Sequence, residues 1–356
     1  MSKELLQQLR DKGITVWSFS RLSTANQCEY EYYNTYVLKK RGKNNVYGIT
    51  GSMVHDYIEN LIKGENKIEH FTEKFQEQLA ENELLGLDFP NEQIKDNFVK
   101  DVTHFTQNFK KPDGQFLLEK LILFQIGEGH WMQGYIDAIQ VVEDEKGDKQ
   151  VNIVDWKSSS KFTGQKLISA GKQLLFYKHA LESSSKAKIN KLMWCMLKYL
   201  YVCHMQKNGK VKYKMCNRGK WVKEMKSTFE KEMLKLGMDD LEVDILLTDA
   251  VNNNSIENLP QEIKDKYWLE DCYVEYEPTD ENMRELEDYV NTTVAKIESK
   301  DVNNPSDWKP LDIEKESFYC NNLCSHRESC SFRKEYIASQ NFEKKSVDDV
   351  LKGLFD

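Results

Sequence analysis

Apolar positions along the chain change their period twice. From Ser18 to about Leu38 the stretch SFSRLSTANQCEYEYYNTYVL carries apolar and aromatic residues at helical spacing, and the Ser20 hydroxyl can cap its first turn. The spacing predicts a second helix over Thr50 to Lys63, with Met53, Val54, Tyr57, Ile58 and Leu61 on one side. Further helical segments near 69–82 and 92–109 make a helical insertion, about 64–112, that can wall or cover a core. Then the period drops to two. Phe116 to Ile126, Trp131 to Val142 and Gln150 to Trp156 read as strands, the last two joined by the turn-like EDEKGD into a hairpin.

Gln165 to Leu181 returns to helix, and Lys191 to Met205 is a long apolar run suited to a buried strand. Helices, three strands, a helix and a strand, in that order, predict an α/β fold: a mixed sheet with a crossover helix. Beyond it the pattern predicts a strand over Val211 to Cys216 paired with the preceding one, and a helix over Lys220 to Leu236. An acidic, mixed stretch follows from 237 to 278, and then a helix from Glu281 to Ser299 leads into a cysteine-bearing segment, about 280–335. The expected organisation is one domain over 1–340 with a catalytic core at about 48–205. A polar tail, 341–356, ends in the short amphipathic stretch VDDVLKGLF, loosely attached or docked.

A chain of 356 residues, 40% hydrophobic and 30% charged, can bury a substantial core, and its 6 prolines and 17 glycines argue against long disordered tracts. There is no internal repeat. MSKELLQQLRDKG lacks the apolar core of a signal peptide, and no stretch reaches the roughly 18 apolar residues that cross a bilayer. The expectation is a cytoplasmic protein with no membrane partner, in the host cytoplasm if its Lys- and Asn-rich composition reflects a phage. The net charge of −8 does not exclude nucleic acid, because binding depends on local fields. Basic runs at Lys39, Lys40, Arg41 and Lys43, and at Lys157, Lys161, Lys166 and Lys172, stand apart from the acidic stretches 239–244 and 256–287.

The hairpin carries the sharpest chemistry. MQGYIDAI places Asp137 beside an apolar run, and VNIVDWKSSS ends with Asp155, Trp156 and Lys157. Strand alternation puts Asp155 and Lys157 on one face with Trp156 opposite. Two carboxylates and an ammonium at the ends of adjacent strands can converge, the carboxylates holding Mg²⁺ or Mn²⁺ and the lysine meeting an attacking water or a phosphate. Phosphodiester hydrolysis builds negative charge on the phosphoryl oxygens, and a divalent ion neutralises it while lowering the pKa of a bound water. A D-x-K triplet by itself equally describes a surface ion pair, so its neighbours decide.

Those neighbours fall in a set order: GSMVH from Gly51 to His55, GYID from Gly134 to Asp137, DWK from Asp155 to Lys157, and QLLFY from Gln173 to Tyr177. They match the GxxxH, GhhD, (D/E)hK and QxxxY motifs in which the chain resembles the PD-(D/E)XK nucleases of RecB type. That group includes the nuclease domains of RecB and AddB and the CRISPR-associated RecB-like exonucleases. The resemblance implies a restriction-endonuclease-like mixed sheet flanked by helices. It further implies that Asp137, Asp155, His55 and the backbone carbonyl of Trp156 ligate Mg²⁺ or Mn²⁺, and that Lys157 positions or activates the water. Gln173 and Tyr177, one helical turn apart, would touch DNA or brace the site. Asp155 stands where this branch more often has Glu, which is one methylene longer, and Glu119 on the preceding strand is a further acidic candidate.

Eight cysteines in a reducing compartment point first to metal. FYCNNLCSHRESCSF brings Cys320, Cys324 and Cys330 close together. The resemblance implies that Cys28 supplies a fourth thiolate for a [4Fe-4S] cluster that staples the two ends of the chain. Zinc held by the three cysteines with Cys28 or His326 is the alternative. Cys195 and Cys203 read as sharing one face of the apolar strand, and they, Cys216 and Cys272 read as buried or incidental thiols. The resemblance implies a metal-dependent DNA exonuclease acting on single strands or strand ends, in repair, recombination or replication, with DNA and recombination or CRISPR-type proteins as partners. The alternatives are an idle DNA-binding or assembly subunit, a structure-specific endonuclease, and a zinc-stapled interaction protein. No oligomeric state follows from the sequence.

Overall fold

A computed structural model describes residues 2–65, 68–185 and 187–340. It is a mixed α/β fold with helices on both faces of a seven-stranded sheet, consistent with a restriction-endonuclease-like architecture. The chain begins with α1 (Ser2–Asp11), β1 (Trp17–Ser18), α2 (Phe19–Gln27) and α3 (Glu29–Tyr32), the last running into a π-helical turn, Tyr33–Val37. Next come α4 (Val46–Lys63), α5 (Ile68–Leu84), α6 (Glu92–Asn108), β2 (Gln115–Ile126), β3 (His130–Glu143), β4 (Lys149–Lys157) and α7 (Gln165–Ser185). β5 (Ile189–Met205), β6 (Val211–Asn217), α8 (Trp221–Lys235), α9 (Asp240–Asn253), α10 (Gln261–Lys266), β7 (Tyr267–Glu275) and α11 (Asp280–Glu298) complete it.

Strand order is β1-β3-β4-β5-β6, with β2 on the other edge of β3 and β7 on the other edge of β5. β2 runs antiparallel along nearly all of β3, from Gln115↔Val141 to Ile126↔His130. β1, parallel at Met132 and Gln133, and β4, antiparallel from Ala138 to Glu143, therefore share the opposite edge of β3. The edge between them, Gly134 to Asp137, pairs with neither. β4 then runs parallel to β5, from Val151↔Ile189 to Lys157↔Met196, and α7 makes the crossover that a parallel pair requires.

Alternation along β4 divides the apolar residues between two cores. Ile153 packs with Phe176, Leu286 and Val290 of α7 and α11, whereas Val154 and Trp156 pack with Val54, Phe75 and Phe105 of α4, α5 and α6. A third core joins Leu200 and Val202 of β5 to Trp221, Phe229 and Leu247 of α8 and α9.

Several boundaries differ from the sequence reading for identifiable reasons. The first long helix breaks at Cys28, whose backbone is extended (φ −153°, ψ 109°), and its cap is Ser18, whose Oγ accepts from the Arg21 N–H at 3.2 Å; Ser20 does not cap it. α4 starts four residues earlier than Thr50 because the Asn45 side chain accepts from the Gly48 N–H at 2.9 Å and caps it. The mixed stretch 237–278 resolves into α9, α10 and β7. Cys195 and Cys203 lie on opposite faces: a register irregularity between Cys195 and Leu200 leaves Cys195 in the core beneath α6 and turns Cys203 to the face of Tyr201. The tail 341–356 lies outside the described residues. Among the described residues no helix is long and apolar enough to cross a membrane.

α7 is seated by a glycine. A Cβ on Gly171 would stand 2.4 Å from the ring of Tyr276, which packs edge-on against the buried Trp194 with centroids 5.5 Å apart. Gly171→Ala should displace that ring and cost about 1 kcal/mol or more net, overpacking outweighing the gain in helix propensity. Urea unfolding measures this, and an unchanged or higher midpoint would contradict the packing argument.

Candidate active site

The ladder between β3 and β4 ends at Ala138↔Val154, and the next opposed residues are Asp137 and Asp155. Here the strands part. The amide of Trp156 donates instead to Asp137 Oδ2, at 3.0 Å. Asp155 is 1% exposed, and its Oδ2 pairs with Lys157 Nζ at 2.7 Å, on the same side of β4 as alternation requires. Lys157 Nζ also donates to Gln173 Oε1 at 3.1 Å, and Gln173 Nε2 donates to the Tyr177 hydroxyl at 2.8 Å, so α7 holds the ammonium through a two-step brace.

From the other side comes α4, which brings His55 Nδ1 to 3.7 Å from Asp137 Oδ2. Gly51, one turn earlier, lets the helix approach: a Cβ there would stand 3.3 Å from Ser158 Oγ, just beyond β4. Glu119 of β2 sits in the left-handed region at φ 46°; burial raises its pKa, and the charges of Asp137 and of Glu59 and Asp56 on α4 add to the rise. Asp56 and Glu59 escaped the sequence reading. Their one available signal was that they share a helical turn with His55.

Burial pushes the carboxyls of Asp155 and Asp137 upward. At Asp155 the Lys157 ammonium opposes the shift and the neighbouring Asp137 reinforces it. Burial pulls His55 downward against the attraction of Asp155, keeping its imidazole neutral with one ring nitrogen able to ligate. Tyr177 is held protonated, first by burial and then by the two carboxylates. Two carboxylates facing one ammonium leave uncompensated negative charge in a desolvated cleft, and the oxygen and imidazole donors suit a hard divalent cation. Among the described residues, however, no group of three or more His, Cys, Asp or Glu side chains closes around a single point.

The sequence profile of the PD-(D/E)XK nuclease superfamily matches residues 16–331, most of the chain. The chain belongs to the PD-(D/E)XK nuclease superfamily. Comparison with curated proteins returns no match. Nucleic-acid hydrolysis is thus the chemistry expected of this PD-(D/E)XK chain, and the matched span takes in both the cleft and the cysteine segment.

In this PD-(D/E)XK protein Cys28, Cys320, Cys324 and Cys330 line one cavity, and all eight cysteines are free thiols. Burial, then the nearby Cys28 and Cys330, pushes the Cys320 thiol to about 11. Hydrogen bonds hold the segment to the front of the chain. Glu31 accepts from Ser325 N at 3.1 Å, Ser325 Oγ at 3.0 Å and the Tyr319 hydroxyl at 2.5 Å. Arg327 donates to the carbonyls of Lys43 and Asn44, at 3.2 and 2.7 Å. His326 lines the same cavity, and its Nε2 lies 2.9 Å from Thr35 Oγ1. Cys195, Cys203, Cys216 and Cys272 are buried elsewhere.

Glu29 extends this clasp to α11 and the turn after it, where Lys296 Nζ and Lys300 Nζ lie 2.6 and 2.7 Å from its carboxylate. Burial raises its pKa, but the two ammonium groups and the Lys309 N–H outweigh burial and hold it at about 2. Its stabilising contribution is therefore complete above its ordinary value of 4.5 and is lost as pH falls from there toward 2. Glu29→Gln should lower the thermal midpoint at pH 7 and flatten its decline below pH 4.5. Parallel declines in the two proteins would show that Glu29 does not couple the clasp to pH.

Proposed function

We propose that this protein is a Mg²⁺- or Mn²⁺-dependent deoxyribonuclease of the RecB-like branch, working as an exonuclease on single strands or DNA ends. The observation that carries the reading is the convergence of Asp137, Asp155 and Lys157 where β3 and β4 part, with His55 beside them. In this reading Asp137, Asp155, His55 and the Trp156 carbonyl hold the ion. When bound, it supplies charge neutralisation for the phosphoryl oxygens and lowers the pKa of a water. Gln173 and Tyr177 hold Lys157 Nζ, which would orient the water or contact the phosphate.

The four cysteines, in the same reading, hold a structural [4Fe-4S] cluster within a single domain over 1–340. Three thiols and Cys28 around one cavity support that assignment, with zinc as its rival. DNA repair, recombination or replication is the setting that this activity suits, with recombination or CRISPR-type proteins as partners. An idle DNA-binding subunit is the second reading, and it draws on the pairing of Asp155 with Lys157.

Digestion of 5′- and 3′-labelled strands, with and without Mn²⁺, decides between them. The wild-type protein should release nucleotides only with the metal, and Asp155→Asn or Lys157→Ala should each slow cleavage at least about a hundredfold. Tyr177→Phe should lower the rate about fivefold, the effect of one lost hydrogen bond. DNA binding without turnover in any divalent metal would establish the idle subunit. Iron analysis of anaerobically purified protein tests the cluster separately, and zinc without iron would replace it.

A further inference from the structure

The outer half of the sheet has one covered face and one open face. Leu200 and Val202 of β5, with Cys216 of β6, are buried beneath α8 and α9, and Lys214 reaches the Glu224 carbonyl on α8 at 2.6 Å. The alternate residues point the other way. Tyr199 and Tyr201 of β5 lie on that opposite face, half-buried at the margin of the first core. Tyr213 of β6 and Trp268 of β7 flank them, each opposite Cys203 in its ladder, 53% and 36% exposed. The Tyr201 and Tyr213 rings meet edge-on with centroids 5.7 Å apart, over the fully buried Cys203. Met205, also 53% exposed, ends the strip.

This strip is continuous with the cleft. The Tyr199 hydroxyl accepts from the backbone N–H of Lys161, four residues past Lys157, at 3.4 Å. From Tyr199 to Met205 the strand spans about 20 Å, and its far turn carries the exposed Lys207 and Lys210. Glu270, opposite Tyr201 in the ladder, accepts from Trp268 Nε1 at 2.8 Å. Aromatic faces on an apolar floor, with cations at both ends, fit a polyanion whose bases are unpaired. A duplex stacks its bases inward and offers such rings only phosphates and groove edges, whereas a single strand offers a π-face at every step.

We propose that the open face of β5, β6 and β7, centred on Tyr201, Tyr213 and Trp268, is a stacking platform for single-stranded DNA that delivers the strand to the Asp137–Asp155–Lys157 cleft. The inference rests on the nuclease reading and adds the route of its substrate. Tyr199 marks the point at which the strand leaves the platform for the cleft.

The test measures anisotropy of labelled oligothymidylate and of a blunt duplex of equal length, without divalent metal so that nothing is cut. Tyr213→Ala and Trp268→Ala should each weaken oligothymidylate binding about tenfold, within the range for loss of one stacked base. The double variant should weaken it further, Tyr213→Phe should retain affinity, and duplex binding should not change. Turnover of bis(p-nitrophenyl) phosphate with Mn²⁺, a substrate too small to touch the platform, should be the same in every variant, which also reports an intact fold. Unaltered oligothymidylate affinity in the double variant, or an equal loss on duplex, overturns the platform. A wild-type protein that cuts neither substrate overturns the nuclease reading instead.

Discussion

Two buried carboxylates cannot face each other across a closed ladder, and the centre of this structure is organised around that constraint. Moving an isolated carboxylate out of water costs several kcal/mol even after relaxation. The sheet meets the difficulty by ending the β3–β4 ladder one pair early. The Trp156 amide, released from the ladder, donates to Asp137, and Lys157 turns back on Asp155. Charge still does not balance, and burial drives both carboxyls toward their protonated forms. A cleft that keeps two acids there has a standing affinity for positive charge.

Everything that reaches the cleft does so by close approach, which explains the glycines in the motifs. Gly51 lets α4 lie against the end of β4, and Gly134 lets β3 lie beneath Phe176, whose ring atom would be 3.1 Å from an added Cβ. Gly171 does the same for α7 against Tyr276. The parallel β4–α7–β5 crossover then sets Gln173 above Lys157, with Tyr177 one turn further on. Motif glycine and motif side chain are two parts of one device: the first sets the distance at which the second acts.

What could be read from the residues follows the same division. The hairpin, the crossover helix and the shared side of Asp155 and Lys157 were legible because they depend on local period and parity. The match of four short motifs in order pointed to the superfamily before any geometry was known. Features set by tertiary context were not legible. β7 hides in an acidic stretch because it is an edge strand in which exposed Trp268 and Glu270 alternate with the more buried Tyr267, Leu269 and Asp271. The break at Cys28 overrides a good helical pattern, and the irregularity in β5 reverses the facing of Cys203 while leaving the composition of the run untouched. Glu119 could be named as acidic, but its left-handed backbone has no signature in its neighbours.

The clasp between the two ends of the chain bears directly on the cleft. Arg327 holds the carbonyls of Lys43 and Asn44, and the Leu323 carbonyl accepts from Asn45 Nδ2 at 3.0 Å. Asn45 is also the residue whose Oδ1 caps α4. The C-terminal segment therefore fixes the origin of the helix that carries His55, ten residues along, to Asp137. Closing so long a loop has an entropic cost that grows only slowly with its length. Here that cost is met by hydrogen bonds and ion pairs distributed over Glu29, Glu31, Arg327 and Asn45.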